Sequence, residues 1–203
     1  MKANLTLNLD HFRFPFLKQK WSNDFDLSYK DALYNFNFRF RCILQQHFVV
    51  FISWSILNCF SSLIVLLIYS KNAYYFWLMN GAWGIFNFGF AIILFYHTLY
   101  QKNIKKSPYK SLQVQNHVTQ MLFLNCGIDL AHILLGFCLR EHSLNSNVSN
   151  SELFFGFGWA IVVQGFFLLT QDILFLYLHH RNFRKAKPIF ETLLDNENKA
   201  FLK

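Results

Sequence analysis

The sequence predicts an all-α integral membrane protein, built as an antiparallel bundle of four transmembrane helices with an N-terminal cytoplasmic or interfacial arm. Only 15% of its 203 residues are charged, whereas about a quarter are charged in a soluble domain. The charged residues are almost absent from four long apolar segments, and a helix crosses a bilayer with about 20 such residues. These two observations exclude an ordinary soluble domain.

The four apolar segments define the domain organisation. The predicted spans cover residues 47–69, 73–96, 119–139 and 153–178. They form a transmembrane domain over residues 47–180, which lies between an arm over residues 1–46 and a basic tail over residues 181–203. The stretch "YKDALYNFNFRFRCILQQHF" in the arm mixes aromatic residues with two arginines. It predicts an interfacial helix that leads into the first span.

Basic residues are distributed unevenly between the two ends of these segments. Of the 19 Lys and Arg residues, only Lys71 and Arg140 lie in the first and third loops, and the others lie in the arm, the second loop and the tail. Because cytoplasmic loops carry the excess of Lys and Arg, both termini are predicted to be cytoplasmic. Basic residues at segment ends attract anionic headgroups. The net charge of +8 therefore predicts the lipid bilayer as a partner, and no nucleic acid.

Every predicted span has one small or polar face, because its polar residues recur at the three- and four-residue spacing of a helix. Such faces are expected to point inward around a shared axis, where amides hydrogen-bond between helices and small residues let the helices approach. The predicted polar intramembrane core consists of Asn58, Asn80, Asn87, Asn125, Asp129, His132, Gln164, Gln171 and Asp172.

Two aspartates in this core have no Lys or Arg at their depth. An ionised acid at the centre of a membrane helix costs about 2.5–3.5 kcal/mol on insertion scales. The sequence therefore predicts that at least one of them is protonated at neutral pH, or that Asp129 shares a proton with His132. We expect Asn125 to hydrogen-bond Asp172, and Asn58 and Asn87 to surround Asp129. Both a functional site and simple packing remain open for the two acids.

Histidines mark the predicted cytoplasmic ends of the spans: His47, His97, His117, His179 and His180. One histidine on each helix could suggest metal or haem ligation. Helix C-termini also favour histidine, however, because they carry a partial negative charge and histidine can carry a positive one. A haem between helices needs histidines inside the bundle, where only His132 is placed. The sequence therefore predicts no metal or haem and no other cofactor. It contains no P-loop, H-E-x-x-H or G-x-S-x-G motif, so no enzyme class is indicated.

Short motifs in three spans resemble those of a family of small four-span bacterial membrane proteins that is catalogued as a domain of unknown function. The motifs are M-N-x-x-W-[GN]-x-x-N, L-N-x-G-[LI]-D and V-Q-G-x-F-L followed by an acid. The matching residues are Met79, Asn80, Trp83 and Asn87; Leu124, Asn125, Gly127 and Asp129; and Gln164, Gly165, Phe167, Leu168 and Asp172. The resemblance runs from about Trp54 to Tyr177. It implies a bacterial inner membrane and brings no activity.

Three functions are open at this point. The first is a small binding or transport unit whose polar core handles a small solute or protons, and for which a homodimer is expected because four spans leave little room for a pathway. The second is an enzyme or electron carrier that uses Asp129, His132 and Asp172 on a lipophilic substrate such as a quinone. The third is a structural or assembly subunit. We favour the first.

Overall fold

The computed structural model describes residues 29–68, 73–100, 108–145, 147 and 149–201. Its helices are α1 (Tyr29–Ile68), α2 (Tyr74–Tyr100), α3 (Pro108–Ser143) and α4 (Ser151–Phe201). Each is long and apolar enough to cross a membrane, by length and composition. The all-helical class with four such helices is therefore confirmed for these ranges. Residues 1–28 of the predicted arm and the last two residues of the tail lie outside the described residues.

Two helices are longer than the predicted spans. α1 begins at Tyr29, so the segment predicted as an interfacial helix is continuous with the first span. α4 continues to Phe201, so the described part of the basic tail is helical. The two extensions pack on each other, because Phe36, Ala186 and Phe190 form a buried apolar cluster. Burying a large apolar side chain stabilises by about 1.5–3 kcal/mol, which accounts for helix beyond the apolar spans.

The four helices pack as two antiparallel pairs that α4 joins. α1 packs on α2, α3 packs on α4, and α4 also contacts both α1 and α2. α3 has only a marginal contact with α1, and no described residue of α3 comes within backbone packing distance of α2. The polar faces therefore do not converge on one shared axis as predicted, because the bundle is open between α2 and α3.

Glycines allow α3 and α4 to approach closely. A Cβ atom on Gly136 would lie 2.7 Å from the carbonyl oxygen of Gly158, and a Cβ atom on Gly165 would lie 3.1 Å from the carbonyl oxygen of Asp129. Gly136 is thus opposite Gly158 and Asp129 is opposite Gly165, which defines the antiparallel register of the pair. Gly127, also on α3, has nothing within 4 Å of its Cβ position.

The outside of the bundle is apolar and much of its inside is polar. Large apolar side chains are exposed along all four helices, among them Leu67, Ile85, Phe123 and Leu174. Soluble monomers rarely expose contiguous apolar patches larger than a few hundred Å². The side chains that are buried instead include many amides and carboxylates, and these form the candidate site.

Candidate functional site

The polar core residues singled out in the sequence lie mostly inside the bundle. The buried ones are Asn58, Asn80, Asn87, Asp129, Gln164, Gln171 and Asp172. Asn125 and His132 are half-buried. The buried residues divide into clusters that differ in one respect, namely whether their polar atoms have hydrogen-bond partners.

The first cluster is a network centred on Gln164. Its Nε2 donates to Oδ1 of Asn58 at 2.8 Å and to Oδ1 of Asn80 at 2.6 Å, and its Oε1 accepts from Nε1 of Trp54 at 2.8 Å. The two asparagine Nδ2 groups donate to backbone carbonyls one turn earlier in their own helices. The Gln164 network therefore ties α1, α2 and α4 together. Asn58 belongs to it, so the prediction that Asn58 contacts Asp129 is not what the structure shows.

The second cluster pairs Asp172 with His47. Oδ1 of Asp172 lies 3.2 Å from Nε2 of His47, and Nε2 of Gln171 donates to the His47 carbonyl oxygen at 3.2 Å. The His47 ring stacks on Phe175 with 4.5 Å between centroids. Both ionisable partners are thus held by α1 and α4.

The predicted hydrogen bond from Asn125 to Asp172 is wrong, because the described partner of Asp172 is His47. The register of α3 and α4 explains the error. Since Asp129 is opposite Gly165, the position opposite Asp172 on α3 is that of Leu122, which is buried. Asn125 lies three residues away from it, or about 4.5 Å along the helix.

The third cluster lies between α2 and α3, and we call it the Asp129 site. It consists of Trp83 and Asn87 on α2, and Asp129 and His132 on α3. The Trp83 and His132 rings meet edge to face with 5.4 Å between centroids. Four buried atoms in this site, Nε1 of Trp83, Nδ2 of Asn87, Oδ2 of Asp129 and Nδ1 of His132, have no hydrogen-bond partner among the described residues.

The direction of the helices brings Asn87 and Asp129 to the same side of this ring contact. α2 runs parallel to α4, because Gly156 meets Tyr75 near the start of both helices and Gln164 meets Asn80 further along. α3 is antiparallel to α4, so α2 and α3 are antiparallel to each other. Asn87 follows Trp83 by four residues and Asp129 precedes His132 by three. Both therefore lie one turn from the ring contact in the same direction.

The Asp129 site offers two N–H donors, a carboxyl group and an imidazole. A carboxyl group can bind a proton, accept a hydrogen bond or hold a cation, and an imidazole can exchange a proton near neutral pH. Each buried polar atom that stays unsatisfied costs about 1–3 kcal/mol. The site is therefore built at a cost to stability, which the complete Gln164 network does not carry.

A fourth cluster was not predicted, and it lies near the N-terminus of α3 and in the C-terminal half of α4. The His179 side chain is fully buried, and its ring lies 5.0 Å from that of Phe40. Nε2 of Gln115 donates to the His179 carbonyl oxygen at 3.2 Å. Neither ring nitrogen of His179 has a partner among the described residues. The expectation that only His132 lies inside the bundle is therefore wrong.

One signal in the sequence could have found His179. It lies eight residues after Gln171 and fifteen after Gln164, so it continues the polar face of α4 at helical spacing. Its neighbour His180 is exposed, as is His117. The side chain of His97 lies outside the described residues. Within the described ranges, no three His, Cys, Asp or Glu side chains are grouped so that they could hold a metal ion.

These features define an all-helical protein with four helices long enough to cross a membrane and a buried, partly unsatisfied polar core. The chain belongs to a family of unknown function, DUF6992, whose model matches residues 50–173. The predicted membership of a family catalogued as a domain of unknown function is thereby confirmed. Neither a curated protein nor a solved structure matches the chain. The matched range contains the Gln164 network, the Asp129 site and Asp172, whereas His47 and His179 lie outside it.

Proposed function

We propose that the protein is a multi-pass membrane protein of the bacterial inner membrane that binds a proton or a small polar solute at the Asp129 site. The observation that carries the proposal is the set of four buried polar atoms without partners at this site. A buried polar network used only for packing is favoured when all its members are satisfied, as in the Gln164 network. Ionisable residues inside membrane helices are typical of ion and proton pathways.

The opening between α2 and α3 supports the same proposal. A ligand needs space next to the groups that bind it, and α2 and α3 are the neighbouring helices whose described residues make no backbone contact. The half-buried His132 borders this opening, because its ring meets that of Trp83 on α2. A small solute would thus reach Asp129 by displacing side chains and not by separating two packed backbones.

A structural or assembly subunit is the second candidate, and the Gln164 network favours it. Each side-chain nitrogen and oxygen of Gln164, Asn58 and Asn80 has a hydrogen-bond partner. That network stabilises the contact of three helices, and its three amides have no unpaired polar atom that could bind a ligand. If Asp129 proves dispensable and neutral, the whole polar core serves packing.

The stability of variants at Asp129 and Asp172 distinguishes the two candidates. In Asp129→Asn the amide cannot ionise, whereas the wild-type carboxyl ionises as the pH rises and is then a buried charge without a partner. We expect Asp129→Asn to unfold at a higher temperature than wild type at pH 9 and at a similar temperature at pH 5. The difference at pH 9 should approach the insertion cost of about 2.5–3.5 kcal/mol.

Asp172→Asn is the matched control in this experiment, because it is the same substitution in a carboxyl that has a partner. It removes the ion pair with His47, so we expect it to be less stable than wild type. Thermal unfolding of the purified proteins in detergent between pH 5 and 9 measures both variants. If Asp129→Asn behaves like wild type at every pH, Asp129 serves packing and the second candidate is favoured.

The proposed orientation, with both termini in the cytoplasm, predicts which residues react with a membrane-impermeant thiol reagent. The described residues Asn147 and Lys187 are exposed, beyond α3 and near the end of α4. In a background without the native cysteines, Asn147→Cys should be labelled in intact bacterial cells. Lys187→Cys should be labelled only in inside-out vesicles. The opposite pattern would reverse the proposed orientation.

A further inference from the structure

Buried polar atoms without partners are concentrated along one path through the bundle. Apart from Ser62 and Arg140, the described residues that carry such atoms are Trp83, Asn87, Asp129, His132, Gln171, Gln115, Ser111 and His179. They lead from the N-terminal end of α3 to the Asp129 site. We infer that this path conducts protons to Asp129, with His179 as the entry and the pair of His47 and Asp172 as the intermediate station.

The inference rests on the proposed function and names the proton as what the Asp129 site receives. The register of the helices gives the spacing of the stations. Asp172 lies seven residues from His179 on α4, or about 10 Å along the axis. Asp129 is opposite Gly165, which is another seven residues further. The path therefore extends over about 20 Å, against a hydrocarbon core about 30 Å thick.

Each station is an imidazole or a carboxyl group, which can both take up and release a proton. The His179 ring contacts Phe40 on α1, and His47 follows Phe40 by two turns on the same helix. Nε2 of His47 lies 3.2 Å from Oδ1 of Asp172. Asp129 lies two turns further along the pair of α3 and α4, opposite Gly165. The proton moves as H⁺ from the imidazole of His179 to that of His47, then to the carboxylate of Asp172, and finally to the carboxylate of Asp129. Each intermediate station returns to its starting state when it passes the proton on.

Amides occupy the intervals between these stations. Gln115 contacts the backbone of His179, and Gln171 immediately precedes Asp172. The Oε1 atoms of both amides have no hydrogen-bond partner among the described residues. Buried waters are held by polar groups of this kind, typically through about three hydrogen bonds. Water bound to these amide oxygens would carry the proton across intervals that exceed a single hydrogen bond.

The ionisable groups around the path come from three helices. α1 contributes His47 next to Asp172, and also Arg39, whose Nε donates to Oδ1 of Asn182 at 2.9 Å near His179. α3 contributes Cys126, which is half-buried and precedes Asp129 by three residues. Arg181 and Lys185 are exposed on α4 beside the entry. From α2, the described residues that face the path are the neutral Trp83 and Asn87.

The burial of the entry favours a proton over a solute at that end. The His179 side chain is completely inaccessible, and it lies beneath Phe40 and next to the cluster of Phe36 and Phe190. A solute molecule would have to displace these aromatic rings. A proton is far smaller than a solute, and donors and acceptors relay it when small side-chain motions bring them within hydrogen-bond distance, so the aromatic packing can stay closed.

The path ends at His132. Beyond it, α3 and α4 are in close contact at Gly136, Gly158 and Val162. A Cβ atom on Gly136 would lie 2.9 Å from the backbone nitrogen of Val162, so the two helices leave no room for a chain of water there. The path therefore reaches Asp129 from one end of the bundle, the end that holds the N-terminus of α3 and that the proposed orientation places in the cytoplasm.

The rate at which Asp129 takes up a proton tests the inference directly. The purified protein is brought from pH 9 to pH 6 in a rapid-mixing infrared experiment, which follows the carbonyl band of the protonated carboxyl group. The band that is missing in Asp129→Asn belongs to Asp129. In His179→Leu we expect the same final amplitude but a protonation rate about 100-fold slower, since a positioned proton-transfer group contributes about that factor or more.

His180→Leu is the matched control, because His180 is the adjacent histidine but is exposed. It should protonate at the wild-type rate. Asp172→Asn interrupts the path at a second place and should slow protonation as His179→Leu does. A slower rate in both variants cannot be attributed to a packing defect at His179 alone. Wild-type rates in both path variants would overturn the inference.

The failure of this inference differs from the failure of the proposed function. If the Asp129 band does not change between pH 9 and pH 6, no proton is delivered there and the inference is overturned. Binding of a small solute would still be supported if Asp129→Asn is more stable than wild type at high pH. If neither result is obtained, both proposals fail.

Discussion

Alanine in place of Gly136 should destabilise the protein more than any other single methyl group added to α3. The new Cβ atom would lie 2.7 Å from the carbonyl oxygen of Gly158 and 2.9 Å from the backbone nitrogen of Val162. Backbone atoms on the opposite helix cannot rotate away, so the two helices have to separate. Overpacking costs typically 1–3 kcal/mol, and we expect about 3 kcal/mol here because α3 depends on α4 for nearly all of its packing.

Gly127→Ala is the matched control for this prediction. It is the same substitution on the same helix, at a position with nothing within 4 Å of the new Cβ atom. Alanine is more favourable than glycine in a helix by about 1 kcal/mol, so Gly127→Ala should be neutral or slightly more stable. Equilibrium unfolding in mixed micelles measures both variants. Equal stability of the two would show that α3 and α4 are not in contact at Gly136.

Replacing Gln164 with leucine should be the most damaging change to the polar core. It leaves the buried oxygens of Asn58 and Asn80 and the indole N–H of Trp54 without their partner. Side-chain hydrogen bonds between membrane helices are worth about 0.6 kcal/mol on average, and a stranded buried group costs about 1–3 kcal/mol. We therefore expect a loss of about 2–3 kcal/mol in the free energy of unfolding.

Gln120→Leu provides the comparison, because Gln120 is exposed on α3. It should have little effect or raise stability slightly in detergent. Near-ultraviolet circular dichroism gives a second measurement, since the Trp54 ring stacks on Phe167 with 3.8 Å between centroids. Gln164→Leu should weaken that signal. An unchanged signal together with unchanged stability would contradict the central position of Gln164.

The sequence was sufficient for the long apolar helices and for most of the residues that lie inside the bundle. Helical periodicity places Gln164, Gln171 and Asp172 on one face of α4, and all three are buried. Periodicity describes one helix at a time, however. It does not contain the register between two helices, and a difference of one turn was enough to assign Asp172 the wrong partner.

The buried histidine shows a second kind of information that a single helix lacks. His179 lies just past the last apolar residues of its span, where a histidine is usually solvated. It is buried because the N-terminal extension of α1 covers it through Phe40. That extension is rich in polar residues, and its helical form depends on the apolar cluster at Phe36 and Phe190. Burial at this position is therefore a property of the packed extensions and not of the local sequence.

The way in which α2 meets α3 has a mechanical consequence. Where two helices pack backbone to backbone, their separation changes only if the whole interface moves. At the Asp129 site the described contact is between two rings, Trp83 and His132, and side chains change rotamer far faster than packed helices shift. Rotation of these two side chains can thus change access to Asp129 while every helix, and the Gln164 network that joins three of them, stays where it is.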